Sequence, residues 1–283
     1  MLNTRVAVLG IALAVGSGGW GCLDNSPPSS GPGPGPGPWP NEPSHFVLVS
    51  DYGFEDSIPA TMDEVLLGLS KWVVQWNPLG NGSRTTDAGA PLSSPFVYEV
   101  KYPIGFISGL APSTLQYYLS PFPRELYWAF WWKPSNPFQS DASGVNKIVF
   151  IWTQTFTGNS TDLLYFDLSP GPWRIRGMND LIAGGGPSAG QRLEPNVDTT
   201  VVTLGEWHRI EIYAQYSTGA AANGVLKWWV DGELNGQYTN LKMAEDAGFR
   251  YLQFAPTYGG NTGDIKLQAD YYWFDHTHVS RAP

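Results

Sequence analysis

The chain is poor in what many scaffolds rely on. A single cysteine, Cys22, among 283 residues excludes an intramolecular disulfide framework. Charged residues make up only 14% of the sequence, and 16 Lys+Arg against 25 Asp+Glu leave a net charge of −9. Such a balance offers nothing to neutralise a phosphate backbone, so nucleic acid is excluded as a partner. Four histidines are present. A zinc site takes about three or four ligands, and beyond His276 and His278, spaced to share one strand face, His45 is the only histidine left unassigned. Long apolar runs are missing too: the run from Val6 to Val15 is too short to span a bilayer as a mature helix.

What is abundant is aromatic and turn-forming sequence, with 13 Trp, 33 Gly and 24 Pro. Residues 1–21 carry one positive charge at Arg5, an apolar run and then small residues, which is a signal peptide. Cys22 falls where a bacterial lipoprotein is cleaved and acylated, although Gly19-Trp20-Gly21 departs from the usual lipobox, and a general secretory signal with an incidental cysteine is the alternative. Leu23 rather than an acidic residue follows, which favours the outer membrane or cell surface as destination. Residues 22–44, with alternating Gly-Pro pairs, cannot bury a core and read as an extended tether. Any membrane contact is through the lipid anchor alone.

From His45 to the end the composition is that of one folded domain. Short apolar bursts at Phe96–Tyr102, Leu126–Lys133, Lys147–Gln154, Leu163–Leu168, Trp173–Gly177, Thr199–Leu204, Phe249–Phe254 and Ile265–His276 are separated by Gly, Pro and Asn. They predict an all-β fold, a single antiparallel sandwich over residues 45–283. Thr61-Met-Asp-Glu64 before Val65, Leu66 and Leu69 predicts a short surface helix, and residues 77–90 read as a loop. The run Tyr127–Lys133 is apolar at both parities, which places it near the middle of a sheet.

Two strands carry most of the information. Gly205–Ser217 and Gly224–Leu234 alternate apolar and polar residues, and the second reaches Asp231-Gly232, the signal for a tight hairpin turn. A Trp opening one strand and W-x-V-D-G ending the next, with the Tyr271–Asp275 ending, resemble the concanavalin A-like lectin/glucanase superfamily, which includes laminin-G-like modules and several polysaccharide lyases. The resemblance implies a jelly roll whose concave face engages sugars. Phe54-Glu55-Asp56 is similar to the opening of sandwich-type sugar-binding domains, and there the resemblance implies a structural Ca2+ held by Glu55, Asp56 and Asp275. No cofactor is required.

Parity sorts the two strands. If Ile210, Ile212 and Ala214 face the core, Arg209, Glu211, Tyr213 and Gln215 face outward, and His208 packs behind them. Likewise Leu226, Trp228 and Val230 face inward, leaving Lys227 and Trp229 outside. Tyr251, Gln253, Lys147 and Gln154 extend this surface in the same reading. The expectation is a carbohydrate-binding face of Glu211, Gln215, Trp229, Tyr251, Gln253, Lys147 and Gln154, engaging an extracellular polysaccharide. The alternative the resemblance implies is a lyase cleaving a uronate-containing glycan, with Arg209 neutralising the carboxylate and Tyr213 and Lys227 moving the proton. The R-[ST]-E and Q-[IV]-H motifs of alginate lyases of this fold are absent, as is the E-x-D-x-x-E of the related hydrolases. A retaining glycosidase needs carboxyls roughly 5–5.5 Å apart, and Glu211 has no acidic neighbour two residues on. A third reading is a surface adhesion or structural module without catalysis.

Overall fold

The computed structural model describes residues 38–153, 163–179, 191–219, 221–243, 248–260 and 262–283. Residues 1–21, read as a signal peptide, Cys22 with the rest of residues 22–37, and Gln154 lie outside the described residues. The folded unit runs Pro38–Pro283, and among its described residues there are sixteen strands and no helix. In chain order they are β1 (Val47–Tyr52), β2 (Val65–Leu66), β3 (Trp72–Trp76), β4 (Gly82–Thr86), β5 (Phe96–Tyr102) and β6 (Thr114–Tyr118). There follow β7 (Glu125–Pro134), β8 (Lys147–Thr153), β9 (Leu163–Ser169), β10 (Arg174–Asn179) and β11 (Gln191–Leu193). The last five are β12 (His208–Gln215), β13 (Gly224–Val230), β14 (Glu233–Leu241), β15 (Phe249–Phe254) and β16 (Asp270–Arg281).

They form two antiparallel sheets. The first runs β14-β13-β12-β7-β16-β5-β4, with β1 paired to the second half of β16; the second runs β11-β10-β9-β8-β15-β6-β3-β2. One apolar core joins them, built on the first sheet from Trp128, Phe130, Ile210, Ile212, Leu226, Trp228 and Phe274, and on the second from Trp72, Leu115, Ile151, Phe166, Leu252 and Phe254. Rings lock edge to face across the gap, as Trp128 and Phe130 do against Phe254 at 5.1 and 5.3 Å. This is the all-β jelly-roll sandwich expected from the strand pattern.

The predicted parity on β12 and β13 holds. Ile210, Ile212, Ala214, Leu226, Trp228 and Val230 are all buried in the core. Their hairpin closes at Asp231 and Gly232, both at positive φ (55° and 93°), the twist a two-residue turn needs. His208 packs inward, its Nδ1 2.7 Å from Asp231 and its Nε2 3.0 Å from the Thr203 carbonyl. Burial draws its pKa down, but the bonds to Asp231 and Thr203 outweigh that and raise it.

Three local expectations are corrected. The helix over residues 61–69 is not formed: the Thr61 hydroxyl accepts the Asp63 N–H in a local turn, and Val65–Leu66 pair with β3 as an edge strand. Thr199–Leu204 lies outside the strands, although the Val202 N–H reaches the Trp173 carbonyl at 2.9 Å. The last strand begins at Asp270 rather than Ile265. Lys266 turns inward instead, its ammonium 2.7 Å from buried Asp270 and within 4.0–5.0 Å of the Phe138, Tyr258 and Tyr102 rings. Residues 77–90, read as a loop, contain β4, an edge strand too short and polar to show an apolar alternation.

The tether read over residues 22–44 ends sooner than expected. Residues 38–46 lie as a strap on the outer face of the first sheet, where Trp39 forms a buried cluster with Tyr127 and Ala129, and Phe46, Trp131 and Tyr213 pack against it. Ala129 supplies the room, because its methyl group leaves a recess between larger neighbours on β7. This explains why β7 is apolar at both parities: one side faces the core and the other faces the strap.

Candidate functional site

The sequence reading placed one set of residues on one surface; the fold divides it between two. Arg209, Glu211, Tyr213, Gln215, Lys227 and Trp229 stand on the outer face of the first sheet. Tyr251, Gln253 and Lys147 stand on β15 and β8, in the second sheet. Strand alternation fixes which side of its own sheet a residue takes, but not which sheet the strand joins.

On the first sheet the strap covers much of the expected ligand surface. Glu211 is fully buried and accepts four hydrogen bonds: from the Asn41 backbone N–H and side-chain amide at 3.1 Å each, the Arg209 Nε at 2.9 Å and the Tyr127 hydroxyl at 2.5 Å. Burial, and then the Glu211 charge, push the Tyr127 phenol far above its ordinary pKa. Arg209 therefore has its charge answered within the protein. Tyr213 donates to Glu125, and its pKa is raised, first by burial and then by that carboxylate. A guanidinium tied to a buried carboxylate and a phenol made harder to ionise are poorly suited to the lyase roles expected of Arg209 and Tyr213.

Beside the strap, Tyr213, Gln215, Lys227 and Trp229 do come together. With Glu125 and three strap residues they line a depression of about 410 Å3. The histidine pair lies on the other side of the strap. His276 Nε2 and His278 Nδ1 contact Asp51 at 2.8 and 3.0 Å, and His278 Nε2 contacts Glu42 at 3.1 Å, with Trp39 lying against both rings. His45 lines the depression instead.

The expected calcium ligands are arranged differently from a cluster. Asp275 is buried, and its carboxylate accepts the Leu92 and Ser93 N–H groups at 2.6 and 2.9 Å. Glu55 and Asp56 lie in the loop after β1, where Arg84 donates to the Glu55 carbonyl. Among the described residues no group of three His, Cys, Asp or Glu side chains is placed to hold a metal ion.

The outer face of the second sheet is graded in exposure: Tyr118 is exposed and Trp152 and Tyr251 are half-buried, whereas Phe150, Gln116, Gln253 and Tyr165 are buried. Cross-strand register aligns Trp152, Tyr251 and Tyr118 on β8, β15 and β6, and Phe150, Gln253 and Gln116 in the adjacent row. Trp152 stacks on Tyr251 at 5.5 Å and 24°, and on Phe150 at 5.9 Å and 23°. The row below is tied by hydrogen bonds, Trp152 Nε1 donating to Gln253 at 3.0 Å and Gln253 Nε2 to Gln116 at 2.9 Å. These bonds fix ring planes and amide orientations before any ligand arrives. A depression of about 280 Å3 at one end includes Gln75, Gln116, Tyr118, Arg250 and Tyr251. Tyr118 is 44% exposed; it donates to Glu64, and burial, then that carboxylate, raise its pKa to about 12.

Toward the other end the face becomes basic. Lys147 places its ammonium 5.5 Å from the Tyr165 ring centre and 3.1 Å from the Gly259 carbonyl. Arg174, Arg176 and Arg192 follow at matching parity on β10 and β11, with Arg176 bound to Asp167 at 2.8 Å. Burial raises the Asp167 pKa to about 6 even against the Arg176 charge. Of the residues on this face the sequence pointed to Tyr251, Gln253 and Lys147, and not to Phe150, Trp152, Tyr165, Gln116 or Tyr118. The signal was there for Phe150 and Trp152, which alternate with Val149 and Ile151; β6 was not recognised as a strand at all.

No protein-family model matches the sequence, and no curated protein matches it. Solved structures do. The chain is similar to the alginate lyase Aly36B, with a TM-score of 0.55 and 13% identity over 83% of this chain and 98% of that one. It is similar to the marine PL-14 alginate lyase from Aplysia kurodai, at 0.54 and 13% over 84% and 100%. The endo-β-1,4-glucuronan lyase from the fungus Trichoderma reesei gives 0.51 and 15% over 71% and 87%. At these identities the likeness establishes the fold: the chain is a jelly-roll sandwich of the kind found in polysaccharide lyases.

Proposed function

We propose that this protein is an exported, lipid-anchored domain that engages an extracellular acidic polysaccharide along the outer face of its second sheet. The observation that carries the reading is the aligned set Trp152, Tyr251 and Tyr118 above the hydrogen-bonded amides Gln253 and Gln116. A sugar ring has an apolar C–H face, which a fixed indole or phenol covers at little entropic cost. Side chains on neighbouring strands repeat at about 4.8 Å, so a chain laid across the strands meets Trp152, Tyr251 and Tyr118 in turn. Lys147, Arg174 and Arg192 supply local positive charge in a protein of net charge −9, whereas Arg176 is buried and paired with Asp167 and Glu194. Anchoring through Cys22 and residence at the cell envelope rest on the N-terminal sequence, and the Gly-Pro segment fits a spacer.

Affinity electrophoresis in gels containing alginate, polyglucuronate or pectate tests this. Tyr251→Ala and Trp152→Ala should each reduce retardation by about tenfold in Kd, equivalent to about 1.4 kcal/mol, with unchanged melting. Retardation by none of the polymers, or retention equal to wild type in both variants, sinks the proposal.

A second reading, eliminative cleavage of the same class of polymer, is favoured by one observation. Lys147 and Tyr165, two residue types able to move a proton, stand together on this face. Following the absorbance of unsaturated products with the same polymers decides it: a rise abolished by Lys147→Ala makes the protein a lyase, and a flat trace with every polymer leaves binding alone.

A further inference from the structure

We infer that the depression between the strap and the first sheet is a second carbohydrate site, on the opposite side of the sandwich, that takes a single uronic acid residue or the acidic end of a glycan. At about 410 Å3 it falls within the roughly 300–1,000 Å3 of small-ligand sites, and the strap walls one side of it, so it suits a terminal residue better than a passing polymer.

Its chemistry is specific. Trp229 is half-buried on β13, in register with Glu211, and contributes an indole to the lining. Lys227, two residues earlier on the same face, has no carboxylate within ion-pair distance among the described residues; its recorded neighbour is the Tyr213 ring at 5.9 Å. Arg209, on the same sheet face, is by contrast fixed to Glu211 at 2.9 Å. A partly buried ammonium without a carboxylate partner gains by binding one. Elsewhere in the lining, Glu125 and Gln215 offer acceptor and amide groups suited to hydroxyls, Glu125 being already oriented by the Tyr213 hydroxyl. One cation for a carboxylate, an acceptor and an amide for hydroxyls, and an aromatic face for C–H groups together match a sugar acid. A phosphate would call for more positive charge than one lysine. The site shares no residue with the aromatic face of the second sheet, and it stands or falls independently of that reading.

Titration of the full exported chain with D-glucuronate, D-galacturonate, D-mannuronate and neutral D-glucose, followed by amide and indole NMR shifts, is the test. Saturable shifts of the Trp229 indole and neighbouring amides are expected with at least one uronate, with glucose at least tenfold weaker. Lys227→Met should weaken the uronate at least tenfold and Trp229→Ala should abolish the response, while Tyr251→Ala, which weakens polymer retention at the other face, leaves the titration unchanged. Circular dichroism checks that each variant is folded. The inference is overturned by no saturable shift with any of the three uronates, or by Lys227→Met binding within twofold of wild type.

Discussion

Glu211 separates a structural residue from a ligand residue, and substituting it distinguishes the two. Its carboxylate is fully buried and receives donors from Arg209, Tyr127 and both nitrogens of Asn41. Replacing it by Ala leaves a guanidinium without its anion, a buried phenol without an acceptor and the strap without one of its polar anchors, the other being the Glu42–His278 contact. Removing one partner of a buried ion pair costs about 3–5 kcal/mol, and a hydrogen bond to a charged group contributes about 1.5–3 kcal/mol. Taking about 4 kcal/mol for the site, because the bonds share one carboxylate and do not add, a domain of this size should lose on the order of 10 °C in Tm. Glu211→Gln should lose less, since its amide keeps one acceptor oxygen but turns a donor toward Arg209 or Asn41. Hydrogen exchange of residues 38–46 should rise in both variants, because Asn41 and the Glu42–His278 contact together hold the strap down and the first is weakened. Polysaccharide retention per folded molecule should be unchanged, as the face proposed to bind it lies on the other sheet. A Glu211→Ala protein melting within ~2 °C of wild type, equivalent to about 1 kcal/mol or less, refutes this reasoning. So does one that keeps its stability but loses retention.

Two further outcomes follow from the same geometry. Burial lowers the His278 pKa, but its bonds to Asp51 and Glu42 outweigh that and raise it; the folded state therefore favours the protonated ring. The resulting stability is fully present below the unfolded value of about 6.5 and is lost as pH rises through the higher folded value. Tm and strap protection should fall from about pH 6 upward, and His278→Gln should flatten part of that slope. His208, also raised, keeps the remainder; a slope identical in wild type and variant contradicts the assignment to His278. Chelation of divalent cations should leave Tm unchanged, since the Asp275 carboxylate is already taken up by two backbone N–H groups, whereas a stabilisation by added Ca2+ that follows mass action would restore the calcium expectation for Glu55, Asp56 and Asp275.

How far the sequence reached can be followed residue by residue. Phe96–Tyr102 and Phe249–Phe254 match β5 and β15 at both ends, and the Asp231-Gly232 turn and the inward set on β12 and β13 are as read. These are short-range consequences: period-two burial and positive φ are written in neighbouring residues. The short or polar strands were illegible for the same reason, β4 because GSRTT carries no apolar alternation and β2 because two residues cannot establish a period.

The sequence by itself determined that this is an all-β domain with a jelly-roll strand pattern, preceded by a Gly-Pro segment, and it determined which side chains on β12 and β13 point away from the core. Only the tertiary structure decided which outward sets share a surface. Pairing partners are fixed by long-range contacts, β12 with β7 and β15 with β6 and β8, and no local pattern encodes them. It also decided that Glu211 and Tyr127 lie beneath the strap, because Trp39 finds its recess over Ala129 on a strand some ninety residues further along the chain.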